Sequence, residues 1–289
     1  MAPNPLRAFL KTFLALLLTV SSALVVVSAG TPAQAAGSKY PTLGIPPAGA
    51  NDWTCETTRK RPYPAVIAHG TFGDQKSLLD PLSLSLKRDG FCVFSLDYGN
   101  RATGPIQDSA RELKRFVNRV LGATDAGKVQ IVGHSQGGMM PRYYIKNLGG
   151  ASKVEDLVGL APSNHGTEST GSFSTESFCP ACAQQAAGSD FLTALNNPDE
   201  TPGTVDYTQV VTKYDEVVTP YTSGFLTPGP RSTNITLQDY CPANLAEHVT
   251  IPMDRLAIAW TLNAFRRHGP ANAGAPLGCI CQSRRHPRR

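Results

Sequence analysis

The chain is poor in charge. Lys, Arg, Asp and Glu make up 17% of its 289 residues, and the formal net charge is only +5. Four arginines crowd into the last six residues, 284–289, where a solvated, frayed terminus accounts for them. Too little basic surface is left to predict a nucleic-acid partner. No internal repeat is present, which excludes solenoids and propellers. After the first 35 residues no apolar run is long enough to cross a bilayer. No acidic cluster of the kind that holds calcium stands out, and no metal or cofactor is expected. What the chain does have is 26 Gly, 23 Pro and a 41% hydrophobic share. That combination points to a loop-rich globular protein rather than a coiled coil or a disordered chain.

The first segment reads as an address. Arg7 and Lys11 precede an apolar run from Thr12 to Val27, followed by Ser28 to Pro32 and then Ala33-Gln34-Ala35. A basic start, a short apolar core and an A-x-A site predict a secretory signal over residues 1–35. Residues 36–289 are then the exported chain, expected as one domain with an N-terminal arm over 36–62, a basic tail and no stable membrane anchor. All seven cysteines follow the signal. In an oxidising compartment they read as disulfides. The expected pairs are Cys55 with Cys92, Cys179 with Cys182, and Cys241 with Cys279 or Cys281, leaving one thiol over. A redox dithiol at Cys179-Cys182 fits less well, because a Ser/Thr/Gly loop precedes it. A zinc site from Cys179, Cys182, Cys279 and Cys281 has poor ligand spacing.

Short apolar runs alternate with helical patterns. Strands are expected at 64–68, 91–96, 129–132, 154–160, 206–212 and 234–237, about six in all. Helices are expected at 78–89, from Ser109 to about Leu121, at 136–147 and at 252–267. Ser109-Ala-Arg-Glu112 has the form of a capping box opening the second of these. Alternation of this kind predicts an α/β fold with a mostly parallel central sheet flanked by helices. Residues 163–188 form a long Ser/Thr/Gly-rich stretch of the sort that covers or builds a site.

Gly133-His134-Ser135-Gln136-Gly137 carries the chemistry. It is G-x-S-x-G between an expected strand and an expected helix, the context in which the serine sits on a sharp turn above the sheet. A serine hydroxyl needs a base, and the base needs an orienting carboxylate. In this arrangement the acid and then the histidine follow the serine along the chain. His248 lies after the sixth strand and before the last helix, where the base belongs. His165 comes too early, His268 ends a helix and His286 is in the tail. Asp215 follows the fifth strand and is the expected acid, with Asp239 in reserve and Asp206 at the wrong end of its strand. The oxyanion needs backbone N–H donors already aimed at it. Gln136 supplies one, and Thr71, in the loop after the first strand, supplies the other, with its hydroxyl available as a third. His69 and His134 read as structural.

Taken together, His69-Gly-Thr-Phe72, Gly133-His-Ser-Gln-Gly-Gly138, Asn164-His-Gly-Thr167, Lys213-Tyr-Asp-Glu-Val-Val218 and Glu247-His248 resemble the secreted bacterial class 2 lipases and esterases of the α/β-hydrolase fold, over roughly residues 45–267. The resemblance implies a Ser135–Asp215–His248 triad, an oxyanion hole from Thr71 and Gln136, and hydrolysis of acylglycerols or other esters, in solution or at a lipid interface, without a cofactor. A monomer is expected. Gln136 departs from the pattern, since many members carry Met there, and the departure is expected to affect pocket chemistry only. The same triad would also serve an acyltransferase or a peptidase. A non-catalytic cell-surface binding protein on this fold is the remaining alternative.

Overall fold

The computed structural model describes residues 44–169 and 178–279. These fall within the compact unit that starts at Tyr40. The expected signal segment, Cys281 and the basic tail lie outside the described residues.

Six parallel strands make one sheet. They are β1 (Ala65–Ala68), β2 (Val93–Leu96), β3 (Val129–His134), β4 (Val154–Leu160), β5 (Asp206–Val211) and β6 (Ser232–Thr236), in the order β2-β1-β3-β4-β5-β6. Alternate residues of each strand serve opposite faces. Val66 and Ala68 join the core under the helices Ile106–Thr124 and Gln136–Asn147. Ala65 and Ile67 join the core under Asp80–Arg88 and Arg255–Phe265. Both faces are covered, so β1 is buried at every position, and a continuous apolar run results instead of an alternation. Because all strands run the same way, the loops leaving β1, β3, β5 and β6 gather at one edge.

The strands and the helix Gln136–Asn147 fall where the sequence pattern puts them, within two residues. The capping box does not form. The helix begins at Ile106 after Pro105, and Ser109 is buried inside it. Its apolar stripe runs back through Ala110 to Ile106, so packing sets the start. The Glu112 carboxylate accepts the Gly99 N–H instead, at 3.1 Å. The last helix is also shorter than expected. Asp254 caps it by accepting from the N–H groups of Leu256 and Ala257, and Pro252 falls in a preceding 3-10 turn. The described part of the arm is not free. Asn51 pairs with Val93 and Ser95 along the outer edge of β2, Trp53 packs on Phe94 and Phe116, and a disulfide joins Cys55 to Cys92. An open sheet edge is thereby covered.

Two further disulfides join Cys179 to Cys182 and Cys241 to Cys279. Residues Gly99 to Ala102 form a left-handed turn, with φ of +59°, +49°, +61° and +57°. Three of these residues carry a Cβ, so the turn costs roughly 1–2 kcal/mol at each. No sequence signal announced it.

Candidate active site

Ser135 links β3 to the helix Gln136–Asn147 with φ +55° and ψ −125°, a conformation sparsely populated by residues with a side chain. The neighbouring glycines explain how the turn closes. A Cβ on Gly133 would lie 1.8 Å from the Gly137 carbonyl oxygen, and one on Gly137 would lie 2.4 Å from the His69 carbonyl oxygen. The Ser135 N–H donates to the Leu160 carbonyl at 2.9 Å, anchoring the turn to β4. The β1 loop passes close by, with a Gly70 Cβ placed 3.0 Å from Ser135 Cβ.

Asp215 and His248 meet across 2.9 Å, carboxylate Oδ2 to imidazole Nδ1, with side chains 1% and 5% exposed. The other oxygen of Asp215 accepts from the N–H groups of Val217 and Val218 at 3.0 and 2.7 Å. With both oxygens engaged, the carboxylate takes the Nδ1 hydrogen and leaves Nε2 of His248 as the basic nitrogen. A β-bridge between Tyr214 and Glu247 ties the two loops together. Gln238 braces them further through Lys213 N, Thr212 Oγ1 and the Asn244 carbonyl. Ser135 and His248 line one cavity. No direct hydrogen bond joins them, a contact that catalytic sites often complete only when substrate binds.

The other sequence candidates lie elsewhere. Asp239 pairs with Lys213 on the surface, its side chain 57% exposed. His165 pairs with Glu200. His268 projects into solvent, and Asp206 pairs with Arg231 near Gly269.

Thr71 lines the same cavity beside Ser135. Gln136, expected to alter the pocket, does not line it. Its side chain is fully buried, and Nε2 donates to Thr71 Oγ1 at 3.0 Å and to the Ala102 carbonyl at 2.8 Å. His134 donates from Nε2 to the His248 carbonyl at 2.8 Å. Burial, and then the neighbouring His248, pull the His134 pKa down to about 3, so the ring is neutral at working pH. His69 is likewise held neutral by burial, with its ring stacked on Tyr98.

The cavity has a volume of about 510 Å³ and a mainly apolar lining, including Leu78, Leu79 and Val218. Phe72, Val217 and Val249 stand at 41–45% exposure along it. The expectation that 163–188 builds part of a site holds for Ser163, Thr167, Ser169, Cys182 and Gln185, which line the cavity. Sequence reasoning gave none of these residues, nor Leu78, Leu79 or Val249, an individual place in the wall, because no local pattern marks a residue that meets the site only through folding. Among the described residues, no group of three or more His, Cys, Asp and Glu side chains could hold a metal ion, and no helix is long and apolar enough to cross a membrane.

Comparison with known proteins adds a family. The family model described as lipase (class 2) matches residues 62–251, well over half of the chain. A triacylglycerol lipase of Vibrio cholerae serotype O1 is 34% identical over 124 residues, covering 37% of this chain and 39% of that protein. A triacylglycerol lipase of Burkholderia plantarii is 33% identical over 115 residues, covering 37% and 31%. The match thus spans only 31–39% of these relatives' lengths. Among solved structures, Aspergillus fumigatus lipase B superposes with a TM-score of 0.67 at 19% identity, covering 78% of this chain and 56% of that one. Mature Bacillus licheniformis lipase BlEst2 gives 0.58 at 14%, covering 72% and 94%. At those identities the likeness is one of fold, the α/β-hydrolase fold.

Proposed function

The chain belongs to the class 2 lipase family, and from that premise we propose that it is a secreted carboxylic ester hydrolase, a triacylglycerol lipase or esterase, acting through Ser135, Asp215 and His248. One observation carries the reading. A serine on a strained strand-to-helix turn opens onto the same apolar cavity as a histidine whose Nδ1 hydrogen is bound by a buried carboxylate.

The chemistry follows from the geometry. His248 Nε2 removes the Ser135 hydroxyl proton as Oγ attacks the ester carbonyl carbon. The imidazolium so formed is stabilised by Asp215, already hydrogen-bonded to Nδ1. The carbonyl oxygen takes up the displaced electron pair and is met by the N–H groups of Thr71 and Gln136, with the Thr71 hydroxyl as a third donor. The imidazolium returns its proton to the leaving alkoxide, and an acyl-enzyme remains. Water then attacks that ester with His248 again as base, releasing the acid and restoring Ser135. The apolar cavity suits an acyl chain, and the names of the curated relatives favour acylglycerols.

Export is supported by the signal pattern of residues 1–35 and by three disulfides, which persist in oxidising compartments. N-terminal sequencing of protein from culture medium should begin at Ala36. The activity is tested by hydrolysis of p-nitrophenyl esters from C2 to C16, with Ser135→Ala beside the wild type. Activity lost in the variant supports the reading. Equal rates in the two would overturn it.

A further inference from the structure

Thr71 Oγ1 is held by two glutamine amides. Gln136 Nε2 and Gln185 Nε2 each lie 3.0 Å from it. The orientation of both amides is set by second partners. Gln136 Nε2 also donates to the Ala102 carbonyl at 2.8 Å. Gln185 Nε2 also donates to the Ala181 carbonyl at 3.1 Å, while its Oε1 accepts from Ser163 Oγ at 2.8 Å. Turning either amide over would set a carbonyl oxygen against another oxygen. Both nitrogens therefore point hydrogens at Thr71. A hydroxyl oxygen accepts two hydrogen bonds and donates one. With both acceptor positions filled, its own hydrogen has neither glutamine to go to, and Thr71 lines the cavity beside Ser135.

We propose that Gln185 is a positioning residue which, with the Gln136 side chain, fills the acceptor positions of Thr71 Oγ1 and so commits the Thr71 hydroxyl hydrogen to the substrate's developing oxyanion. The inference rests on the oxyanion-hole reading above. A hydrogen that neither glutamine accepts is left for the carbonyl oxygen, and its bond strengthens as negative charge develops there, the condition for lowering a barrier rather than merely binding substrate.

The surrounding structure is built to hold the clamp. The left-handed turn Gly99–Ala102 delivers the Ala102 carbonyl to Gln136 and the Arg101 carbonyl to the Phe72 N–H at 2.8 Å. The disulfide-closed turn at Cys179–Cys182 leads into Gln185, whose N–H bonds back to Ala181. The Ala181 N–H in turn meets the Thr103 carbonyl at 3.1 Å. Backbone strain maintained beside a site in this way fits a functional constraint. The glutamine at position 136 acquires a use that methionine lacks, a side-chain donor for Thr71.

The test is a double-mutant cycle on p-nitrophenyl butyrate, with active sites counted by fluorophosphonate labelling. Thr71→Val keeps the backbone N–H and the side-chain shape, and should lower kcat about 10²-fold with little change in KM. Gln185→Leu should lower kcat roughly tenfold in the wild type and less than about twofold in Thr71→Val, because its effect passes through the hydroxyl. Thr71→Ser should retain most of the rate. Gln185→Glu, which offers an acceptor where the donor was, should fall below Gln185→Leu, and serves as a second variant if Leu impairs folding. Equal losses from Gln185→Leu in both backgrounds, or an unchanged kcat in Thr71→Val, would overturn the inference while leaving ester hydrolysis intact. A wild type no faster than Ser135→Ala would overturn the ester-hydrolase reading, and this inference with it.

Discussion

The ring of His134 donates a hydrogen bond to the main-chain carbonyl of His248 at 2.8 Å, so the residue before the candidate nucleophile also holds the loop of the candidate base. Their rings lie 5.0 Å apart. His134→Phe keeps the ring and removes the donor. It should lower kcat by roughly 10- to 100-fold, through displacement of His248, and cost about 1–3 kcal/mol for the unpaired carbonyl.

The same residue predicts an acid dependence. The His134 pKa falls from 6.5 unfolded to about 3 folded. Between those values the unfolded chain takes up a proton that the folded one refuses, so this residue's contribution to stability is full above pH 6.5 and is lost as the pH drops. The loss from His134 alone should reach about 2 kcal/mol by pH 5, and buried His69 adds in the same direction. Denaturant midpoints at pH 7.5 and 5 should show the gap between wild type and His134→Phe narrowing at the lower pH. A constant gap would count against a neutral, buried His134.

Asp215 and Asp239 separate cleanly by environment. Asp215→Asn should reduce kcat by about 10⁴ if the carboxylate orients His248 and stabilises its cation. Asp239, an exposed partner of Lys213, should tolerate Asn within about twofold, since such pairs contribute little. Reversed phenotypes on p-nitrophenyl esters would reassign the acid.

Two glycines should behave oppositely. An added Cβ at Gly137 meets the carbonyl oxygens of His69 and Ala68 at 2.4 and 2.5 Å. Backbone cannot yield cheaply there, so Gly137→Ala should cost about 3 kcal/mol or more and abolish phosphonate labelling. A Cβ at Gly122, in the helix Ile106–Thr124, meets nothing within 4 Å. Gly122→Ala should stabilise by about 0.5–1 kcal/mol. Thermal unfolding of both variants measures the contrast.

Asp156 in β4 is 1% exposed. Gln130 donates to one oxygen, and the other has no partner. Burial foremost, and then the nearby acids Asp206 and Glu155, hold its pKa well above the usual carboxylate range. Above pH 3.8, the unfolded value, folding must return a proton to this carboxyl, and the cost grows as the pH rises toward the folded value. Asp156→Asn removes that cost. It should raise stability at pH 7 by about 1 kcal/mol or more, with the gain shrinking toward pH 4. A variant less stable than wild type at pH 7 would mean the charged form has a use.

Local patterns carried the fold a long way. Continuous apolar runs marked strands buried on two faces, and the apolar stripe from Leu113 to Val120 marked a helix, because burial periodicity is written in consecutive residues. Gly133-His134-Ser135-Gln136-Gly137 placed the candidate nucleophile for the same reason, since its turn is a matter of five adjacent residues. The order of loops along a parallel sheet nominated Asp215 and His248. What the sequence left open depends on contacts between distant segments. The helix start moved from Ser109 to Ile106 because packing outweighed a four-residue capping signal. The left-handed turn at Gly99–Ala102 is maintained by partners that include Phe72, Glu112 and Gln136. Gln185 reaches Thr71 across 114 residues, and His134 reaches His248 across the same separation. No periodicity records such meetings. They exist because the sheet brings the ends of its strands to one edge, and only there does a buried amide or imidazole acquire its partner.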